Sequence, residues 1–295
     1  MTESELQRKR AANRRSEHPA REGKMQTALN HMTVPNIGYV AFLDLAAKLG
    51  CVGVEVRNDI AHALFDDLNP AEAGRIASDK GLRLVGLSQV YPFNDWTAER
   101  KVAVEALIAT AKASGAETIS LIPRNDGTAL GNGERQANLR IALKGVLPLL
   151  QDAEMTALVE PLGFQRSSLR SKTELVDMIA SIGGQGHFKI VHDTFHHALA
   201  DGGPIYPEMT GIVHISGVVD PTLSVGQMED EHRVLVDEKD RLGNIEQIAA
   251  LLAAGYDGPI SYECFSPEMH QHADPYSEIK RSFDFISSQI QAHAV

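Results

Sequence analysis

From Met25 onward, short apolar runs alternate with longer segments in which apolar residues recur every three or four positions. Several of the short runs are unbroken, such as IVHI and ALVE, which is the pattern of strands covered on both faces in a parallel sheet. Eight strands are predicted: Thr27 to Asn30, Gly53 to Val56, Leu82 to Leu87, Thr118 to Ile122, Ala157 to Glu160, Lys189 to His192, Ile212 to Ile215 and Ile260 to Glu263. Helices between them are marked by their ends. Asn69-Pro70 reads as an N-cap followed by proline at the first helical position, and Gly81 stops the helix. Over Thr97 to Ser114 the spacing puts Val102, Ala106, Ala109 and Ala113 on one stripe, with Gly115 as the stop. NIEQIAALLAAG repeats the design from Asn244 to Gly255. No linker or composition shift divides residues 25–295, so the expected fold is α/β, a single closed (β/α)8 TIM barrel preceded by a separate segment at residues 1–24. An open doubly wound sheet is the alternative.

Composition narrows the function classes. The chain has 295 residues, 43% of them hydrophobic and 23% charged, as in an ordinary globular protein. Its formal charge is −11, unevenly spread: residues 1–24 hold seven of the 28 Lys/Arg and four of the 39 Asp/Glu, so the remainder carries 21 basic against 35 acidic side chains. So acidic a body repels nucleic-acid phosphates, and the basic start (Arg8-Lys9-Arg10, Arg14-Arg15) reads as a solvated tail or a short helix packed on a neighbour. Two cysteines, Cys51 and Cys264, make no disulfide framework, and no stretch resembles a membrane span or a secretory signal. A cytosolic protein is expected, with no membrane or nucleic-acid partner. Neither a Rossmann nor a P-loop glycine pattern follows the first strand, and GTALGNG and GGQG read as loops.

In a parallel barrel the carboxyl ends of the strands face the substrate. Four late strands end in polar residues: Glu160 in ALVEP, Asp193 in KIVHD, His214 in IVHIS and Glu263 in ISYEC. Three converging carboxylates repel one another unless one takes a proton or a cation intervenes. One divalent ion held by three oxygens and one nitrogen is therefore expected, of the Mn²⁺, Mg²⁺ or Co²⁺ type, with Cys264 turned away by strand alternation. His196, three residues past Asp193, is placed to reach the cation, a ligand or the substrate, and His197 is assigned to the surface. Arg233, in the loop after the seventh strand, offers a bidentate donor to hydroxyl or carbonyl oxygens, or else a loop ion pair with Asp230 or Glu229. Asn30, Glu55, Arg57 and Gln89 stand near other strand ends, Glu55 and Arg57 alternatively as a ladder pair. Tyr91, Phe93 and Trp96 read as a hydrophobic loop lid, and His270 with His272 as an exposed pair without a third donor.

The set VEPLGF, HDTFHH, VHISGV with a downstream DEHRV, and GYDGPISYECFSPE resembles the xylose-isomerase-like barrel superfamily of sugar isomerases and epimerases, and within it most the bacterial inosose (2-keto-myo-inositol) isomerases of inositol catabolism. The similarity runs from Met25 through nearly the whole chain, including ALNHMT, VGVEVRND and LSQVYPFND. It implies Glu160, Asp193, His214 and Glu263 as ligands of one divalent metal, Mn²⁺ before Mg²⁺, Co²⁺ or Zn²⁺. It also implies His196 and Arg233 as substrate contacts, Glu160 with Glu263 as the acid/base pair, and a homo-oligomer. The expected reaction shifts a carbonyl between adjacent carbons of an inosose or related keto-sugar. A ketose 3-epimerase, a hydroxypyruvate-type isomerase or an inosose dehydratase would use the same residues, and a sugar-binding subunit of a larger assembly is the non-enzymatic alternative. An apurinic-site endonuclease shares the carboxylates and histidine, but GVEVR, VGLSQ and ISLIP lack the further histidines its metal cluster needs. Relatives follow the arginine with a short Pro-Gly-x-Gly turn; here VLVDEKDRLGN is longer and charged, which implies a different pocket rim.

Overall fold

The computed structural model describes residues 25–293, so the expectation for residues 1–24 lies outside the described chain. Eight parallel strands close into a barrel in sequence order. They are β1 (Thr27–Asn30), β2 (Gly53–Arg57), β3 (Arg83–Val90), β4 (Thr118–Leu121), β5 (Thr156–Val159), β6 (Phe188–Asp193), β7 (Thr210–Ile215) and β8 (Ile260–Tyr262), with β1 paired to both β2 and β8. The main helices are α1 (Tyr39–Leu49), α2 (Pro70–Asp79), α3 (Ala98–Ser114), α4 (Asn132–Ala153), α5 (Lys172–Ser181), α6 (Thr194–Leu199), α7 (Asn244–Ala253), α8 (Pro267–His270) and α9 (Pro275–His293). None of them is long and apolar enough to cross a membrane. The doubly wound alternative is excluded by the closure of β1 on β8.

Local signals account for most boundaries. Asn69 accepts from the Ala71 amide ahead of Pro70, and Thr97 accepts from the Arg100 amide at the start of α3. Gly115 ends α3 at φ +72°, where a side chain would be strained. The face of α3 departs from the expected one. Val102, Ala106, Ala109 and Ala113 lie outward, Val102 61% exposed, while Val104, Leu107, Ile108 and Ala111 are buried. Both stripes have helical spacing. The branched and longer side chains remove more apolar area from water than a mostly alanine stripe does, and that difference sets the rotation of the helix.

Strand alternation then decides what enters the barrel. In β2, Glu55 and Arg57 share one side, opposite Val54 and Val56, and both are buried. Across the late strands the register sets Asp193 beside His214 and His214 beside Ser261, so three polar residues form one row near the carboxyl end.

Candidate metal centre

Glu160, Asp193, His214 and Glu263 are all buried, and each offers one ligand atom within 4.8 Å of all the others. Among the described residues this is the one such group. Its members leave the ends of β5 to β8, as strand order requires. Two of their atoms are buried without any hydrogen-bond partner: Oε1 of Glu160 and Nδ1 of His214. They stand 3.7 Å apart, and Nδ1 is 3.3 Å from Oε2 of Glu263. Ligands about 2.1 Å from one ion lie roughly 3 to 4.2 Å from each other, a range that includes both of these separations. On this fit the four side chains can hold one divalent ion.

The tautomer of His214 is set from behind. Its Nε2 donates to the Glu55 carboxylate at 2.9 and 3.1 Å, and Ser261 donates to the same group at 2.6 Å. A carboxylate only accepts, so the neutral ring keeps its proton on Nε2 and turns the Nδ1 lone pair toward the other carboxylates, which is the form a cation binds; such outer partners are typical of metal-binding imidazoles. Sequence reasoning placed Glu55 at the pocket edge and missed this role. A charged residue inside an otherwise apolar strand was the available signal, but its partner lies 159 positions away.

Two arginines balance the charge. Arg57 donates to Glu263 Oε1 at 2.5 Å and grips Asp59 with two further bonds. Arg233, 1% exposed, bridges Asp193 at 2.6 Å and Glu263 at 3.0 Å through Nη2, while its Nε goes to Ser216 at 2.9 Å. Its remaining nitrogen lies 3.3 Å from Asp230. Glu229 is not its partner; that carboxylate pairs with Arg166. Most of the Arg233 fork is thus spent on the candidate ligands themselves, and only Nη1 is lightly engaged.

These surroundings separate the carboxylates. Burial and the nearby Glu263 charge push Glu160 above the usual carboxylate range. Burial would raise Glu263 too, but His214, Arg233 and Arg57 outweigh it and hold that group well below the usual range. Burial is likewise outweighed at Asp193, which Arg233 lowers, and at His214, where Glu55 and Glu263 raise the imidazole well above its ordinary value.

Above the cluster opens a cavity of about 220 Å³, lined by Glu160, Glu263, Arg57, Arg233 and His196 together with Tyr91, Phe164 and Phe265. His196 is buried between Phe164 and Phe195, and its backbone amide donates to Asp193 at 2.9 Å. Gly163 makes this packing possible, because a Cβ there would lie 2.3 Å from the His196 carbonyl oxygen. Gln89 lines the same cavity and donates to Asp59, and Asn30 reaches Glu263 at 3.4 Å. The expected aromatic lid is not formed as a unit. Phe93 is fully buried and Trp96 packs onto Gly145 of α4, leaving Tyr91 at the mouth. His197 is not a free surface histidine: it is half-buried, with Nδ1 2.9 Å from Lys172 Nζ. His270 bonds the Cys264 carbonyl. The charged rim is organised by Asp240, which accepts from the Val218, Leu242 and Asn244 amides and so caps α7.

A family profile described as xylose isomerase-like TIM barrel matches residues 43–289. No curated protein matches the chain. Among solved structures, a xylose isomerase domain containing protein from Salmonella typhimurium LT2 is 32% identical, with a TM-score of 0.82 over 90% of this chain and 97% of that one. The IolI protein with a bound zinc atom superposes with a TM-score of 0.80 at 17% identity, over 92% of this chain and 99% of that one. An L-ribulose 3-epimerase follows at a TM-score of 0.68 and 16% identity, over 92% and 96%. With the closed barrel, the four gathered side chains and the profile over most of its length, the chain belongs to the xylose isomerase-like TIM barrel family.

Proposed function

We propose that this protein is a cytosolic, metal-dependent isomerase that shifts a carbonyl between adjacent carbons of an inosose or a related keto-sugar, as a step of inositol catabolism. The observation that carries this reading is the meeting of four ligand atoms within 4.8 Å, with two of the four residues, Glu160 and Glu263, lining the cavity above them. The ion, Mn²⁺ by the preference of three oxygens and one nitrogen, would be held by Glu160, Asp193, His214 and Glu263 and would supply positive charge to the oxygens of an α-hydroxyketone. Glu160 takes the proton from the hydroxyl-bearing carbon, because it is the carboxylate whose surroundings favour holding one. Glu160 then returns that proton to the neighbouring carbon as the hydroxyl proton passes to the former carbonyl oxygen, while Glu263, held as an anion by Arg57 and Arg233, balances the positive charge at the reacting oxygens. His196 and the free edge of Arg233 orient the hydroxyls, and Phe164 and Phe265 cover the reacting face. Likeness to an IolI protein and to an epimerase of the same barrel supports the substrate class.

The test is to incubate the Mn²⁺-loaded protein in deuterated water with a panel of inososes and ketoses. Deuterium entering a carbonyl-shifted inosose is expected, with Glu160→Gln slowed about 10²–10⁴-fold. An epimer or a dehydrated product would replace the reaction named here by its sister chemistry on the same carboxylates. Absence of exchange with every substrate, or full activity of Glu160→Gln, would remove the catalytic reading.

A further inference from the structure

A second cavity of about 250 Å³ lies at the start of α5 and shares His196 with the metal pocket. Its walls include Arg170, Lys172, Thr173 and His197 and contain no carboxylate. Lys172 is only 8% exposed, yet among the described residues no Asp or Glu lies within ion-pair distance of it. The carboxylate that acts on it from a distance is Asp193, already tied to Arg233. A buried cation with no counter-ion is costly and uncommon.

Its hydrogen bonds sharpen the picture. The ammonium donates at 2.9 Å to Nδ1 of both His192 and His197, which places the ring protons of both on Nε2. His192 spends its Nε2–H on Gln247 at 3.0 Å. His197 carries its Nε2–H along the cavity wall near Gly202. At the helix start, Ser171 Oγ caps the Glu174 amide, and the Lys172 and Thr173 amides of the first turn are left as donors. Arg170 gives Nε to Gly163 and Nη2 to Leu199, with Nη1 uncommitted. Lys172, Arg170, the His197 Nε2–H and the two free amides all donate, and no carboxylate stands on this wall.

We propose that this cavity is a binding site for a small oxyanion of the phosphate or carboxylate class, seated against Lys172, His197 and the first turn of α5. An anion there supplies the missing counter-ion, meets the helix dipole with the favourable sign and gives the buried lysine a charge-assisted hydrogen bond beside its two histidine partners. In its absence, burial pushes Lys172 down to about 7.

Inorganic phosphate titrated into the full, chelator-treated chain by calorimetry tests this. A saturable single site is expected, weakened about tenfold or more by Lys172→Met and abolished by Ala200→Glu, which adds a carboxylate to the cavity wall and leaves the lysine untouched. Glu160→Gln should bind phosphate like the parent. If Lys172→Met does not fold, Ala200→Glu alone decides. The proposal is overturned by absence of saturable binding, by binding that survives both cavity variants, or by binding that tightens in Glu160→Gln, which would put the ion among the metal-pocket arginines. Competition by fructose 6-phosphate would assign the site to the charged tail of a sugar substrate, and independence from it to a free anion. Failure of any of these arms leaves the isotope-exchange result of the metal pocket unaffected.

Discussion

His214 serves as a ligand in only one of its two neutral forms, and Glu55 selects that form. Without the Glu55 carboxylate, the ring proton has better acceptors on the other side, where Glu160 and Glu263 lie 3.7 and 3.3 Å from Nδ1. The proton would move there and occupy the lone pair that a cation needs. Glu55→Leu keeps the side chain's bulk and removes its charge, so the barrel interior stays filled. We expect an intact circular-dichroism spectrum and Mn²⁺ affinity reduced about 10–100-fold, read by competition with a fluorescent chelator. Unchanged affinity would mean that His214 is held by packing rather than by this bond. The same residue shows why the sequence revealed only part of the site. Glu160, Asp193, His214 and Glu263 each terminate an apolar run and are visible one at a time. The use of Glu55 depends on β2 lying across the barrel from β7, which no local pattern encodes. Arg233 likewise read as a donor for substrate, because nothing nearby in the sequence shows that Asp193 and Glu263 already take one of its nitrogens.

At the scale of elements, the strands were legible because burial on both sides leaves unbroken apolar runs, and helix ends because their caps are local. Helix faces were less so. In α3 two stripes of equal spacing compete, and only the larger side chains of one reveal the choice. The seam between β6, α5 and α6 was hidden for another reason: Lys172, His192 and His197 meet only when three elements pack. That seam carries a pH prediction. Burial, with the charges of Lys172 and His197, pushes His192 down to about 3, and burial with Lys172 pushes His197 to about 4. An unfolded histidine titrates near 6.5. Between those limits the unfolded chain binds more protons than the folded one, so stability is full above about pH 6.5 and is lost as the pH falls toward the folded values. Taking His192→Asn as the comparison, urea denaturation should show the parent losing about 2 kcal/mol more than the variant between pH 6.5 and 4.5. Equal losses would show that His192 does not hold its neutral form.

Across the whole molecule, five strands deliver charge to one end of the barrel. The buried carboxylates Glu55, Glu160, Asp193 and Glu263 face Arg57, Arg233 and His214, so the cluster is short of positive charge unless a carboxyl group is protonated. Protons supply that need when no cation is bound: His214 is raised well above its ordinary value, and Glu160 is raised as well. A divalent ion coordinated by His214 and Glu160 competes with protons for both side chains, so metal affinity should climb with pH. Calorimetric titration of chelator-treated protein with Mn²⁺ at pH 7, repeated in buffers of different ionisation enthalpy, should report net release of protons on binding. The ion also ties the ends of β5 to β8 together only in the folded state. At a concentration about 100 times its dissociation constant it should add roughly 2.7 kcal/mol and raise the melting temperature by about 5–10 °C, an increase that should shrink in Glu160→Gln. Proton release and thermal shift are linked, since both depend on one cation replacing the protons of His214 and Glu160. A thermal shift without proton release would locate the ion elsewhere on this acidic protein, and the metal pocket would then have to be read as a proton-balanced polar core.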